Sequence, residues 1–274
     1  MSFRHVSRDG TRLSMLAAAA LMAFSAVQAN AETGSAHARD MSVHISLLGI
    51  ANLDIDPQIT SGFDNTFDAA QDQDSTPSLD IGTPLLHLSS GLITTEAEYA
   101  PGVSIAAAGS RVNIENLELS AVGLLGESLL SVTADTIRAQ SLVAGYCLPA
   151  QQTRSLVDDI TFFNGFDEGN LHPGGIGGGG DPGDDVTLTG LGISILGIPV
   201  PDLPLNPPPN TVVDLAQLGI ADVTLILNER TIGGDGVTNA SLSTNAIHLT
   251  LNVAGVITGD VVFAHSDSTL ACEQ

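Results

Sequence analysis

Four side chains near the C-terminus are of types that could do chemistry together: Glu229, His248, His265 and Asp267. Histidine and carboxylate groups bind zinc and also act as general acids and bases, so a shared location would indicate a metal site or a hydrolytic site. Either use requires the side chains to converge on one face of the element that carries them.

The last fifty residues, from Val223 to Cys272, show the two-residue period of β-strands. Apolar residues alternate with polar ones in Val223 to Glu229, more regularly in Ala246 to Val253, and again in Val256 to His265. Glycine-rich residues 233–236 can supply one connection. We therefore expect three consecutive antiparallel strands, a C-terminal meander.

The alternation predicts that the four candidate residues do not share a face. His248 lies between Ile247 and Leu249 and faces outward, whereas Glu229 and His265 are in phase with the apolar residues of their own runs. This mismatch argues against a single site. We therefore expect no catalytic residue and no required cofactor. We interpret these side chains as exposed or hydrogen-bonded structural groups. The sequence does not decide whether any of them binds a metal ion.

An acidic stretch between Asp54 and Asp80 contains seven aspartates among Gln, Ser, Thr and Pro residues. It predicts a disordered, solvated loop near 56–80. Carboxylates are ligands that calcium prefers, but their spacing fits neither an EF-hand nor a calcium-binding nonapeptide repeat. Calcium binding is therefore an alternative interpretation. A second loop is expected at the Gly-rich residues near 169–185.

The charge of the chain restricts its partners. Its 274 residues include eight Lys and Arg against 31 Asp and Glu, a formal net charge of −23. Such a field repels nucleic acid and anionic membranes, and it keeps an exported protein soluble. Charged partners are therefore expected to be cationic molecules or metal ions.

Residues 1–31 have the organisation of a secretory signal peptide. Basic residues precede an apolar run from Met15 to Val27, and an A-x-A cleavage site follows at Ala29 and Ala31. The apolar run is shorter than the ~20 residues needed to span a bilayer. Because Gln274 follows no hydrophobic helix or sorting motif, we expect no stable membrane anchor and a secreted or extracytoplasmic product.

Between Leu85 and Ala144 the pattern also favours strands, with a phase slip at Asn116 that suggests a bulge or a switch between sheets. An amphipathic helix over Ala121 to Leu130 is weakened by two glycines. Five small residues imply closely approaching sheets: Ala106, Ala107, Ala108, Ala121 and Ala134. We expect residues 32–274 to form a single antiparallel β-sandwich-like domain closed by the meander, with an irregular β-solenoid as the alternative.

Two cysteines, Cys147 and Cys272, are present in this chain. Exported proteins fold in oxidising surroundings, so the pair predicts a disulfide bond, with two unpaired thiols as the alternative. The bond would tie the last residues of the meander to the middle of the chain.

Five short segments resemble a known family: Tyr146-Cys147, Pro209 to Val213, Leu227 to Arg230, Ser243 to Leu249, and Asp260 to His265. Over Leu142 to Cys272 the chain is similar to the choice-of-anchor P family of bacterial exported surface proteins. The resemblance implies a β-rich surface or secreted domain, and it brings no catalytic residue with it.

These observations favour a non-enzymatic secreted or cell-surface β-rich structural or interaction module. Its partner is unknown, and an envelope or extracellular protein is the kind expected. The alternatives are a calcium-dependent adhesin or extracellular matrix component, and a hydrolase with an unrecognised site. The chain has no Gly-x-Ser-x-Gly nucleophile elbow. The hydrolase is nevertheless retained as an alternative, because a catalytic triad is defined by geometry rather than by sequence.

Overall fold

A computed structural model gives the fold of this protein. It describes residues 32–101, 106–145, 186–220, 222–235, 239–253 and 256–272. The predicted signal peptide, Cys147 and the predicted Gly-rich loop near 169–185 lie outside the described residues.

Sixteen strands account for most of the described chain. The first nine are β1 (Glu32–Leu47), β2 (Ala51–Ile55), β3 (Thr60–Thr66), β4 (Ala70–Thr76), β5 (Leu79–Gly82), β6 (Leu86–Ser90), β7 (Ile93–Ala100), β8 (Ala106–Val122) and β9 (Ser128–Gly145). The others are β10 (Val186–Thr189), β11 (Gly192–Ile195), β12 (Ile198–Pro199), β13 (Thr211–Val213), β14 (Val223–Gly234), β15 (Asn239–Val253) and β16 (Ile257–Cys272). The described part of the chain also contains one 3-10 turn, η1 (Ala216–Leu218), which precedes β14.

The strands form two antiparallel sheets that pack face to face. The first sheet has the order β13-β14-β15-β16-β1-β2, with β3 also paired to β1. The second has the order β12-β11-β9-β8-β6-β5, with β10 paired to β9, and β7 paired to both β4 and β8. A large hydrophobic cluster joins their inner faces, and two smaller clusters lie beside it. The predicted all-β, sandwich-like fold is confirmed, and it replaces the solenoid alternative.

The predicted C-terminal meander is also confirmed, because β14, β15 and β16 pair in sequence order as antiparallel neighbours. The alternation in the sequence does not reveal which strand pairs with the other edge of β16. That partner is β1, which aligns Met41 with Phe263 and Glu32 with Cys272. The start and the end of the described chain therefore lie side by side in one sheet.

The two ends of the sandwich are filled by different side chains. At one end Leu, Ile and Val side chains fill the space, among them Leu47, Leu88, Leu119 and Val261. Burial of such side chains contributes roughly 1.5–3 kcal/mol each relative to exposure. This end supplies most of the hydrophobic stabilisation.

At the other end the sheets approach closely through small side chains, as the alanine-rich segment predicts. The Ser110 and Ser266 hydroxyl oxygens lie 2.7 Å apart across the sandwich, and Ser266 Oγ donates to the backbone carbonyl of Ser110 at 2.8 Å. Ser141 and Ser268 make a similar contact at 2.7 Å. A bond from a short side chain to the opposite backbone requires a separation below the ~10 Å that is usual for stacked sheets.

A row of four buried residues crosses the first sheet. At each of them the alternation of inward-facing and outward-facing side chains along the strand shifts by one residue. Asp40 on β1, Ala264 on β16, Ala246 on β15 and Asn228 on β14 are each 0% exposed, and each has a second inward-facing residue next to it in the chain. We call these four residues the phase-shift row. Asn228 (φ 51°) and Ala264 (φ 56°) adopt left-handed backbone conformations, which non-glycine residues rarely do.

The phase slip predicted at Asn116 is confirmed in the second sheet. Asn116 has φ 48°, and the buried positions of β8 change there from even to odd numbers. No register shift accompanies the slip, because the pairs Glu115–Thr136 and Leu117–Ala134 keep one alignment. The strand β9 changes phase at the same place, so neither a bulge nor a switch between sheets is needed.

The prediction of a disordered loop near 56–80 was wrong. Most of this segment forms β3, β4 and β5, which pair with β1, β7 and β6. The backbone groups find partners in strands distant in sequence, while most side chains of β4 remain exposed. A stretch with little apolar content can therefore form a strand at the margin of a sheet, where burial is not required.

The helical alternative for Ala121 to Leu130 is excluded by a hairpin. The strand β8 ends at Val122, β9 begins at Ser128, and Gly126 (φ 87°) lies in the turn between them. Leu125, which an amphipathic helix would bury, is 96% exposed at the tip. Among the described residues there is no helix with the length and apolar character needed to cross a membrane.

Candidate functional site

The phase-shift row brings the candidate residues onto one face, so the predicted mismatch was wrong. If inward and outward residues alternated strictly along β14, Glu229 would face inward like Leu225 and Leu227. In the structure the consecutive residues Leu227 and Asn228 both face the core, so Glu229 points outward. The same change after Phe263 and Ala264 turns His265 outward. Both residues thereby join His248 on the outer face of the first sheet.

His248 links carboxylates from two neighbouring strands. Its Nδ1 lies 2.7 Å from Glu229 Oε2 on β14, and its Nε2 lies 2.9 Å from Asp260 Oδ1 on β16. Thr250 donates its hydroxyl to the same Asp260 oxygen at 3.2 Å. His248 is therefore held at both ring nitrogens by acceptor oxygens.

The contacts continue without a break to His265 and Asp267. Asn245 donates from Nδ2 to Glu229 Oε2 at 2.7 Å and presents Oδ1 to His265 Nδ1 at 2.6 Å. His265 Nε2 in turn lies 3.0 Å from Asp267 Oδ1. We call the connected set the histidine–carboxylate network: Glu229, Asn245, His248, Asp260, His265 and Asp267. It contains all four residues singled out in the sequence, with Asn245 and Asp260 as additional members.

Electrostatics favour a charged imidazole at His248. Burial disfavours the charge, but hydrogen bonds and attraction from Asp260 and Glu229 outweigh burial and raise the pKa of His248 above 6.5. Ionised carboxylates accept hydrogen bonds and do not donate them. Both ring nitrogens can satisfy their contacts only when both carry a proton.

The histidine nitrogens of the network are all used within it, which bears on metal binding. Zinc needs histidine nitrogens with free lone pairs, whereas both nitrogens of His248 and of His265 contact oxygen atoms of the network. Within the described ranges no group of three or more His, Cys, Asp or Glu side chains is arranged to hold a metal ion. What the arrangement can do is join strands.

A second arrangement on the same face was not singled out from the sequence. Ser42 Oγ lies 2.9 Å from His44 Nε2, and His44 Nδ1 is hydrogen-bonded to Asp54 Oδ1. These are the connections of a Ser-His-Asp triad. The His44 and Asp54 side chains are 45% and 80% exposed, so water reaches the group and weakens the electrostatic stabilisation that catalysis requires. A polar residue two positions before an outward-facing histidine was the available sequence signal.

The aspartates of the acidic stretch are used as hydrogen-bond partners. Asp64 contacts His37 at 2.9 Å, Asp80 contacts His87 at 2.8 Å, and Asp72 accepts from the backbone amide of Gly62 at 2.8 Å. These contacts are spread over both sheets. They therefore give no support to a calcium-binding loop.

Asp40 is a buried carboxyl group that sequence analysis missed. Its Oδ1 accepts from the backbone amide of Gln58 at 3.0 Å, and its own amide donates to the carbonyl of Ile59 at 3.3 Å. Burial raises the pKa of Asp40 and is partly offset by hydrogen bonds from backbone groups. These bonds position the connection between β2 and β3 beside β1. An aspartate inside a strand pattern was the available signal.

Comparison of the chain with known protein families, with curated proteins and with solved structures found no match.

Proposed function

We propose that the protein is a non-enzymatic, exported β-sandwich module that acts in the cell envelope or outside the cell through its surface. The observation that carries this proposal is that both ring nitrogens of each histidine in the histidine–carboxylate network are already in contact with oxygen atoms of the network. Groups able to catalyse a reaction lie on an outer sheet face, and each of the two network histidines binds its neighbours with both ring nitrogens. Such a face is suited to stability and recognition rather than to chemistry.

Export is supported by the sequence of residues 1–31, in which basic residues precede an apolar run and an A-x-A site follows at Ala29 and Ala31. Cleavage after Ala31 would give a mature chain that begins at Glu32. The resemblance to the choice-of-anchor P family supports the same location, and that membership remains a proposal.

A disulfide between Cys147 and Cys272 also belongs to this proposal. The Ser141–Ser268 contact and the packing of Leu270 against the cluster that contains Val143 place the end of β9 near the end of β16. The strand β9 ends at Gly145, two residues before Cys147 in the sequence, and β16 ends at Cys272. Cys272 is not a free cysteine, and Cys147 lies outside the described part of the chain.

The partner proposed is a protein of the envelope or extracellular space with a neutral or basic contact surface. A net charge of −23 opposes binding to nucleic acid and to anionic lipid. Recognition would use hydrogen bonds and charge complementarity, which contribute more to specificity and association rate than to affinity.

Cell fractionation tests this proposal directly. The protein is expressed with a C-terminal tag, and cytoplasmic, envelope and medium fractions are compared by immunoblot and N-terminal sequencing. We expect a mature chain that begins at Glu32 outside the cytoplasm, and retention of the precursor when Ala29 and Ala31 are both replaced by Leu. A cytoplasmic chain with Met1 or the signal segment intact would overturn the proposal.

The Ser42, His44 and Asp54 arrangement supports a second candidate, a serine hydrolase. Treatment of the purified protein with a fluorophosphonate probe distinguishes the two functions, because the probe labels activated serines. The non-enzymatic proposal predicts no labelling of Ser42 and no hydrolysis of a p-nitrophenyl ester. Labelling that disappears in Ser42→Ala but persists in the control Ser46→Ala would establish the hydrolase instead.

A further inference from the structure

One side chain of the network connects all three strands of the C-terminal meander. His248 on β15 contacts Glu229 on β14 and Asp260 on β16, at 2.7 and 2.9 Å. We propose that His248 is a pH-sensitive bridge that holds β14, β15 and β16 together more strongly at mildly acidic than at mildly alkaline pH. This inference does not rest on the proposed function.

The geometry makes the bridge depend on two protons. A neutral imidazole carries one N–H group, and its other nitrogen presents a lone pair. In the observed arrangement that lone pair would face an ionised carboxylate, either Glu229 or Asp260. Deprotonation of His248 therefore breaks one contact and leaves two acceptor groups facing each other.

The bridge lies where the backbone ladder is interrupted. Between β14 and β15 the pairs Leu227–Ile247 and Glu229–Asn245 flank Asn228, where no ladder pair is formed. Glu229 lies on one side of this interruption and His248 on the other. Their side-chain contact therefore joins the two parts of the ladder across the phase-shift row.

Several charged groups of neighbouring strands face the same region and belong to any account of its titration. Directly opposite His248 are the uncharged Ile226 on β14 and Val262 on β16. The titratable and charged groups nearby are Glu229 on β14, Asp260 and His265 on β16, and His44 and Arg39 on β1, which align with Asp260 and His265. The two groups that contact His248 directly are carboxylates, so the local field favours its protonation.

The direction of the pH effect follows from the raised pKa of His248. A histidine whose folded-state pKa exceeds its unfolded value contributes stability that is fully present below the unfolded value. That contribution is lost as pH rises through the folded-state value. The bridge therefore weakens at pH values above the ordinary 6.5 of histidine.

Two measurements on the whole folded protein test the proposal. A proton NMR titration follows the His248 ring resonances, assigned by comparison with His248→Gln, and we expect a midpoint above 6.5. Thermal unfolding is then measured from pH 5.5 to 8.5 for the wild type, His248→Gln and the control His87→Gln. His87 also contacts an aspartate, but only through Nε2 and on the second sheet.

The wild type is expected to lose about 2–4 °C more in melting temperature than His248→Gln as pH rises across this range. His87→Gln is expected to retain the wild-type pH dependence. Other acidic groups and the net charge also change with pH, but their effects are shared by all three proteins and cancel in the comparison. A His248 midpoint at or below 6.5, or an unchanged pH dependence in His248→Gln, would overturn the proposal.

If His248→Gln fails to fold, Asp260→Asn and Glu229→Gln provide a second route. Each replaces one charged acceptor by a neutral amide of similar size. The ring resonances of His248 are then identified as those whose midpoint falls in both variants. Midpoints that stay unchanged in both variants would contradict the bridge.

Discussion

Asn210 and Asn228 take part in three hydrogen bonds that join the proline-rich connection to the meander. The backbone amide of Asn210 donates to the carbonyl of Asn228 at 2.7 Å, and Asn210 Oδ1 accepts from the amide of Arg230 at 2.8 Å. The side chain of Asn228 donates to the carbonyl of Pro207 at 2.8 Å. Both asparagines have positive φ, 58° and 51°. Each of them occupies a backbone conformation that asparagine tolerates.

Replacement of Asn228 is expected to lower the free energy of unfolding more than the replacement of most single polar residues would. The Asn228→Ala change removes a buried hydrogen bond, which costs about 1–3 kcal/mol, and it places alanine in a left-handed conformation, which costs roughly 1 kcal/mol more. Asn228→Gly should avoid the second cost and be less damaging. Urea unfolding of both variants measures the difference.

Asn252→Ala provides the matched control, because Asn252 is an exposed residue of the neighbouring strand β15. It should change the free energy of unfolding by less than about 0.5 kcal/mol. Equal stability of the Asn228 and Asn252 variants would contradict the role given to the buried amide.

The alternation of apolar residues is sufficient to predict the meander, but it fails at single positions. Parity counting assumes an unbroken period of two, and the left-handed residues Asn228 and Ala264 reverse the facing of everything after them. An asparagine at such a position can be suspected from its preferences. Alanine at 264 has no such preference, so the turn of His265 to the outer face depends on tertiary structure.

The close approach of the sheets, by contrast, could be predicted from the size of the side chains. Small side chains such as Ala108 and Ser110 cannot fill a wide gap, so a strand rich in them must lie near its partner. Which residues meet across the gap was not predictable. The contact of Ser110 with Ser266 joins positions far apart in the chain, and no local pattern relates them.

Gly34 is required by the aromatic ring packed over it. A Cβ atom at this position would lie 2.1 Å from Cδ2 of Tyr99, whose side chain is buried and whose ring centroid is 6.4 Å from that of Phe63. Because the ring has little room to move, Gly34→Ala is expected to cost about 1–3 kcal/mol or more in the free energy of unfolding. Chemical denaturation measures it.

A double variant identifies the cause of this cost. In the Tyr99→Leu background the alanine at position 34 no longer meets the ring, so its cost should fall, a non-additivity typical of residues in contact. Gly233→Ala is the control, since its added Cβ would meet chiefly the movable hydroxyl of Ser241. An equal cost of Gly34→Ala in both backgrounds would rule out the clash.

The predicted disulfide should be detectable by mass and by stability. If Cys147 and Cys272 are bonded, alkylation labels neither residue until a reductant is added. Reduction, or replacement of both residues by Ala, should lower the melting temperature, because closing so long a loop contributes about 4–5 kcal/mol in the chain-entropy treatment and often less in practice. Labelling of the untreated protein would show that the thiols are free.

Glu98 should make the protein less stable as pH approaches neutrality. Burial, with a smaller contribution from the charge of Glu96, raises the pKa of Glu98 to about 7 from 4.5. The folded state therefore binds the proton more tightly than the unfolded chain, and stability falls as pH rises between these two values. The loss should be on the order of 1–2 kcal/mol, because the side chain is partly exposed and solvent screens part of the effect.

The Glu98→Gln variant should remove that loss, since a neutral amide does not ionise. Its stability relative to the wild type should increase from pH 4.5 to 7 and remain constant at higher pH, as measured by urea unfolding at each pH. Glu118→Gln, an exposed position on the outer face of β8, controls for the removal of one negative charge. Because both variants reduce the net charge equally, a pH-dependent gain confined to Glu98→Gln assigns the effect to burial of that carboxyl group. The same gain in both variants would assign it to the overall negative charge.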